Sequence, residues 1–166
     1  MTTNATIQIQ PRFISGSIQA IPSKSDGHRQ LISAALSSAD TTLVIGPEPL
    51  SDDIQSTINC IRALGARVVR ADDQRLLIHP VRRDLRVPTE VILDCGESGS
   101  TLRFMLPIVA ALGRTVQVIG HGRLPERPIQ PLVDMLSTHG ISFSGPKLPL
   151  KMSGQLTGGV FRLPGD

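Results

Sequence analysis

A motif that recurs 74 residues apart constrains the fold more than any other feature of this 166-residue chain. Under that shift Arg29 falls on Arg103, Ile45-Gly46 on Ile119-Gly120 and Leu50 on Leu124. A glycine closes the segment after each, Gly65 and Gly140, one residue out of register. Self-similarity at such a period is the mark of a structural unit used more than once. Four stretches carry apolar residues at the three- and four-residue spacing of amphipathic helices: 27–38, 51–64, 99–112 and 128–139. Short β-branched runs lie between them, at 42–45, 67–70, 76–79, 91–93, 115–119, 141–144, 150–153 and 160–163, many bounded by Gly or Pro. Strand-like residues also precede the first helix, so each unit reads strand, helix, strand, helix, strand, strand. The fold class is α/β, with repeated βαβαββ units at about 16–80 and 90–154. A third copy begins at 159–163. Pro107 is expected to bend the third helix.

Composition narrows the function. Only 2% of residues are aromatic, with no Trp or Tyr. The core must then come from Leu, Ile, Val and Ala, and the stacking platforms of single-stranded nucleic-acid binders are missing. The formal net charge of +3, mostly from Arg, suits a small anionic ligand. Cys60 and Cys95 have no metal-like spacing and read as reduced thiols. His28, His79, His121 and His139 show no metal-ligand pattern either. The polar start, broken by Pro11, resembles neither a signal peptide nor a membrane span, so a cytoplasmic protein is expected, with no metal and no cofactor.

Three segments could carry chemistry. In Pro22–Arg29, Lys24, Ser25 and Arg29 surround a helix start, where free N–H groups and the dipole attract anions. Ser25 and Arg29 are four apart and share a face. The alternative reading is an ordinary capped helix with solvated charges. In Asp94–Arg103, Gly96 and Gly99 let a ligand approach the backbone, Ser100 and Thr101 offer hydroxyls, and Arg103 lies one turn in. A plain glycine turn and cap would look the same. In Arg123–Pro128, Arg127 has the planar fork that grips carboxylate or phosphate, with Glu126 as a candidate orienting partner. A solvated charged loop is the bland reading. Asp52 and Asp53 read as helix-capping residues.

These segments together resemble the EPSP synthase (3-phosphoshikimate 1-carboxyvinyltransferase) family. Ser-Lys-Ser-x-x-x-Arg at Ser23–Arg29, Gly99–Arg103, and Arg-x-x-Glu-Arg-Pro at Arg123–Pro128 are similar to its ordered signatures. Pro131-Leu132-Val133-Asp134 follows as in the family, and Leu163-Pro164-Gly165 resembles the entry to its third unit.

The resemblance implies the enolpyruvyl transferase inverted α/β barrel: two domains of three βαβαββ units, of which this chain holds two units and the start of a third. Residues 1–13 would then be a strand of the other domain, absent here, and 14–166 part of a substrate-binding domain. The implied reaction moves the enolpyruvyl group of phosphoenolpyruvate to the 5-hydroxyl of shikimate 3-phosphate and releases phosphate. By motif, Lys24, Ser25 and Arg29 would contact shikimate 3-phosphate. Lys24, Gly99 and Arg127 would contact phosphoenolpyruvate, with Lys24 as the candidate catalytic residue. Arg103 would support from behind.

Glu97 stands where many members have Asn. The acid and base residues would lie past Asp166, so the expected fragment binds but does not catalyse. No membrane or nucleic-acid partner is implied. UDP-N-acetylglucosamine enolpyruvyl transferase and RNA 3′-phosphate cyclase share the architecture, and a non-catalytic anion-binding module is the remaining alternative.

Overall fold

The structure, a computed structural model, describes residues 6–8, 10–13, 15–18, 20–46, 49–82 and 91–162. Helix α1 spans Lys24–Ala35. It begins three residues before the glycine that the periodicity favours, because Ser23 is the N-cap and its hydroxyl accepts the Asp26 N–H at 3.3 Å. Lys24 and Ser25 therefore sit in the first helical turn. After α1 come β1 (Thr41–Val44), α2 (Asp52–Ala63), β2 (Arg67–Asp72) and β3 (Arg75–His79). Then come β4 (Val91–Asp94), α3 (Gly99–Leu112), β5 (Val116–Ile119), a 3-10 turn (Leu124–Glu126), α4 (Gln130–Ser137), β6 (Ile141–Phe143) and β7 (Leu150–Gly154).

The strands form two sheets, ordered β1-β3-β2 and β4-β5-β7-β6. All pairs are antiparallel except β4 with β5, which run parallel. Without β4, the second sheet has the order and pairing sense of the first.

Two expected strands are not found. Residues 15–18 and 20–22 form no strand, so β1 is paired only with β3 among the described residues. A strand needs at least one face to bury, and here Ile18 is 94% and Ile21 86% exposed. Residues 160–162 also carry no strand, and the proposed entry to a third unit at 163–165 lies outside the described residues. In the N-terminal segment, Ile7 and Phe13 are exposed, while 1–5 and Ile9 lie outside the described residues.

The core is aliphatic, as the composition requires: none of the four Phe is buried. Helix α3 is its most enclosed element, with Leu102, Met105, Leu106, Val109 and Ala110 at most 1% exposed. Burial of such a side chain contributes about 1.5–3 kcal/mol for the larger ones. That accounts for α3 running through Pro107 without a break, although Pro offers no N–H to the carbonyl one turn back. Helices α1, α2 and α3 pack on one another, with the first sheet against α1 and α2 and the second against α2 and α4. No helix among the described residues is long and apolar enough to cross a membrane.

Gly65 and Gly140 end α2 and α4 at φ 106° and 91°, where a side chain is strained. A Cβ on Gly65 would meet nothing within 4 Å, whereas one on Gly140 would lie 2.9 Å from the Gln155 carbonyl oxygen. In urea unfolding, Gly65→Ala should cost about 1 kcal/mol from the backbone alone. Gly140→Ala should cost more, and equal losses would contradict this account.

Candidate anion-binding site at three helix starts

The site begins with how two loops are brought together. Beyond the parallel pair β4 and β5, the ladder continues as Cys95 N–H to the Ile119 carbonyl at 3.0 Å and His121 N–H to the Gly96 carbonyl at 2.7 Å. The loop opening α3 and the loop leading to α4 therefore leave the sheet side by side. They do so at the carboxyl ends of parallel strands, a common place for ligands.

Arg127 thereby reaches Gly99. A Cβ built on Gly99 would lie 2.7 Å from Arg127 Nη1 and 2.8 Å from Arg103 Nη1. Only a glycine lets both guanidinium groups approach so closely. Arg103 also donates to the carbonyls of Gly99 and Pro128 at 3.4 and 3.3 Å. Neither arginine has a carboxylate partner among the described residues, and no ion pair joins Arg127 to Glu126, contrary to the sequence expectation. Two like charges held together without a counterion are a place for an anion. The Glu97 carboxyl lies against Gly122.

The second group gathers on α1. Arg29 donates to the Ser25 carbonyl at 2.8 Å and to the Ser25 hydroxyl, and its guanidinium lies 5.2 Å from the Phe104 ring centre on α3. Lys24 Nζ lies 2.9 Å from Asp53 Oδ2, with the two side chains 59% and 34% exposed. Such a pair is worth at most about 1 kcal/mol, so Lys24 is only loosely held by Asp53.

The sequence reading missed the link between the groups. The Thr57 hydroxyl of α2 lies 2.7 Å from His28 Nδ1 of α1 and 2.7 Å from the Thr101 hydroxyl of α3. Thr101 reaches the Ser98 hydroxyl at 2.8 Å and the Asp53 carbonyl at 3.3 Å. Ser98 also caps α3 by accepting the Thr101 N–H at 3.1 Å. Thr101, expected to offer its hydroxyl to a ligand, is fully buried and spends it inside the protein, while Ser100 stays exposed. A signal was present: His28 and Thr57 interrupt the buried stripes of Leu31 and Ala35 and of Ile54, Ile58 and Ile61.

Other titratable groups lie outside this role. A cleft of about 520 Å³ takes in Lys24 and Gly27 with Leu43, Ile45 and Ile54, but Ser25, Arg29, Gly99 and Arg127 do not line it. It is an apolar gap along the edge of β1 that is unpaired among the described residues. The Cys60 thiol, against Cys95 and buried, is pushed well above its usual range, which disfavours its thiolate. Burial pushes the Asp94 carboxyl up, but hydrogen bonds from His121 and the Gly96 N–H outweigh it and hold it below its usual range. No group of metal-ligating residues exists among the described residues.

His28 is held below its ordinary 6.5, chiefly by burial; Asp53 opposes this, and Lys24 and Arg29 reinforce it. The unfolded chain then binds the His28 proton more readily than the folded one, so this contribution to stability is complete above pH 6.5 and falls as the pH drops below it. Urea midpoints should decline from about pH 7 to 5, and His28→Gln should flatten that decline. An unchanged slope would contradict it.

A family model described as EPSP synthase (3-phosphoshikimate 1-carboxyvinyltransferase) matches residues 9–166. The 3-phosphoshikimate 1-carboxyvinyltransferase of Clostridium acetobutylicum is 36% identical over 163 residues, covering 96% of this chain and 38% of the relative. That of Clostridium botulinum is 37% identical over 165 residues, covering 97% and 38%. The chain thus spans about 38% of the length of these relatives. A solved EPSP synthase from Acinetobacter baumannii superposes with a TM-score of 0.75 at 22% identity, covering 90% of this chain and 34% of that one, a likeness of fold. By the family match along nearly its whole length, together with these relatives, the chain belongs to the EPSP synthase family.

Proposed function

We propose that this chain supplies the anion-gripping half of an enolpyruvyl transfer, from phosphoenolpyruvate to the 5-hydroxyl of shikimate 3-phosphate. The observation that carries the reading is the pair of guanidinium groups, Arg127 and Arg103, set against Gly99 without a carboxylate partner among the described residues. Phosphoenolpyruvate, which has both a carboxylate and a phosphate, suits such a site. Lys24, Ser25 and Arg29 take the phosphate of shikimate 3-phosphate, with the first turn of α1 adding its free N–H groups. Lys24 turns from Asp53 to touch both substrates and is the catalytic residue of this part. Gly99 and Arg127 hold phosphoenolpyruvate, and Arg103 supports Arg127.

In this scheme the methylene carbon of phosphoenolpyruvate is protonated, the 5-hydroxyl adds to the cation-like carbon and gives up its proton, and phosphate then leaves as the new methyl group loses a proton to restore the enol ether. Proton transfer needs placed acid and base groups, which we assign to parts of the relatives outside the 38% spanned here. The chain alone then binds without turning over. The reaction is a polar addition and elimination, so no metal or cofactor enters. The two sheets with their helices are two copies of one βαβαββ unit in the family's inverted barrel, the first without its leading strand among the described residues. Residues 1–13 belong with the other domain, and the enzyme works in the cytoplasm.

Calorimetric titration with phosphoenolpyruvate tests this. Arg127→Ala should weaken binding by about tenfold or more. Gly99→Ala should bind as poorly, because its methyl group displaces both guanidinium groups, while melting no lower than wild type, since Ala favours a helix. Arg29→Ala should weaken shikimate 3-phosphate instead, and affinities should fall with salt. Full affinity in Arg127→Ala would refute the assignment.

A further inference from the structure

The buried hydroxyls between the helices have one proton each, and this limits how they can be connected. The Asp53 carbonyl can only accept, and Thr101 Oγ1 is the hydroxyl placed against it, at 3.3 Å. The Ser98 hydroxyl already accepts the Thr101 N–H. If the Thr101 proton points to Asp53 and Ser98, Thr101 must accept from Thr57, 2.7 Å away. Thr57 has then used its proton and must accept from His28 Nδ1, also at 2.7 Å.

We infer that His28 is a positioning residue, held as the Nδ1–H tautomer, whose proton starts a one-way hydrogen-bond chain through Thr57 and Thr101 to the Asp53 carbonyl. The chain fixes the starts of α1, α2 and α3 relative to one another. Those starts hold Lys24, its partner Asp53, and Gly99 with the two guanidinium groups. His28 touches no substrate. It acts by keeping the Lys24 and Gly99 sides of the site in register, so the inference rests on the binding role proposed above. The burial that disfavours imidazolium leaves the ring neutral with a single N–H, so the tautomer alone sets the polarity of the chain. The opposite polarity, from Ser98 through Thr101 and Thr57 onto an unprotonated Nδ1, leaves the Asp53 carbonyl with its helical N–H partner alone, and the tautomer of His28 decides between the two.

Nitrogen-15 spectra of the imidazoles in the wild-type chain at neutral pH read the tautomer directly, with His28 assigned by its loss in His28→Gln. Nδ1–H is expected, whereas Nε2–H overturns the inference. Phosphoenolpyruvate titrations of Thr57→Val and Thr57→Ser give the second readout. Valine keeps the shape and removes the hydroxyl, and should weaken binding by about tenfold. Serine keeps the hydroxyl and should restore it. Equal binding by the valine variant overturns the positioning role. Should Thr57→Val unfold, the wild-type tautomer still decides. Nδ1–H in a wild-type chain that does not bind phosphoenolpyruvate sinks the proposed function and leaves the polarity of the chain standing.

Discussion

The arrangement depends on a hydroxyl buried between three helices. Thr57 has no access to water, and an unsatisfied group there would cost about 1–3 kcal/mol. It is satisfied only while His28 on one side and Thr101 on the other stay within 2.7 Å. Beneath the exposed Lys24–Asp53 and Arg29–Phe104 contacts, helices α1, α2 and α3 are otherwise joined by aliphatic packing, which resists separation but allows sliding. The hydrogen bonds supply the direction that packing lacks. They meet near the helix starts, where Lys24, Asp53 and Gly99 reside, and so place charge at the surface from a fixed point below it.

The charged groups themselves are held loosely. Lys24 and Asp53 form an exposed pair worth little, and Arg127 leans on a glycine without an ion pair among the described residues. Buried, fully paired cations would contribute rigidity but would have nothing left for a ligand. Here the backbone is well determined, by parallel strands whose ladder runs on into both loops, while the side chains remain free to turn. That division suits a site for anions that must bind and leave.

Much of this was legible in the sequence, for physical reasons that differ by element. The helices were readable because their apolar stripes face a large core. Their starts were less so: α1 opens at Lys24 because the Ser23 hydroxyl takes a backbone N–H, a local bond that periodicity does not register. The pairing of Ser25 with Arg29 followed from helix geometry. The approach of Arg127 to Gly99 did not, since it depends on strands β4 and β5 lying side by side. The strand expected before α1 failed because β-like residues form a strand only beside a partner, and Ile18 has none to bury it among the described residues. The role of Thr101 was misread for a similar reason: a hydroxyl at a helix start looks available until another helix covers it.

The central claim is that the Lys24 and Arg29 side and the Gly99 and Arg127 side form one site that holds both substrates together. Amide chemical shifts recorded while phosphoenolpyruvate is added in the presence of shikimate 3-phosphate test it most directly. The account predicts that the N–H signals of Ser25 and Gly99 move together and saturate along a single curve. Movement at one helix start alone, or two curves with separate midpoints, would contradict it.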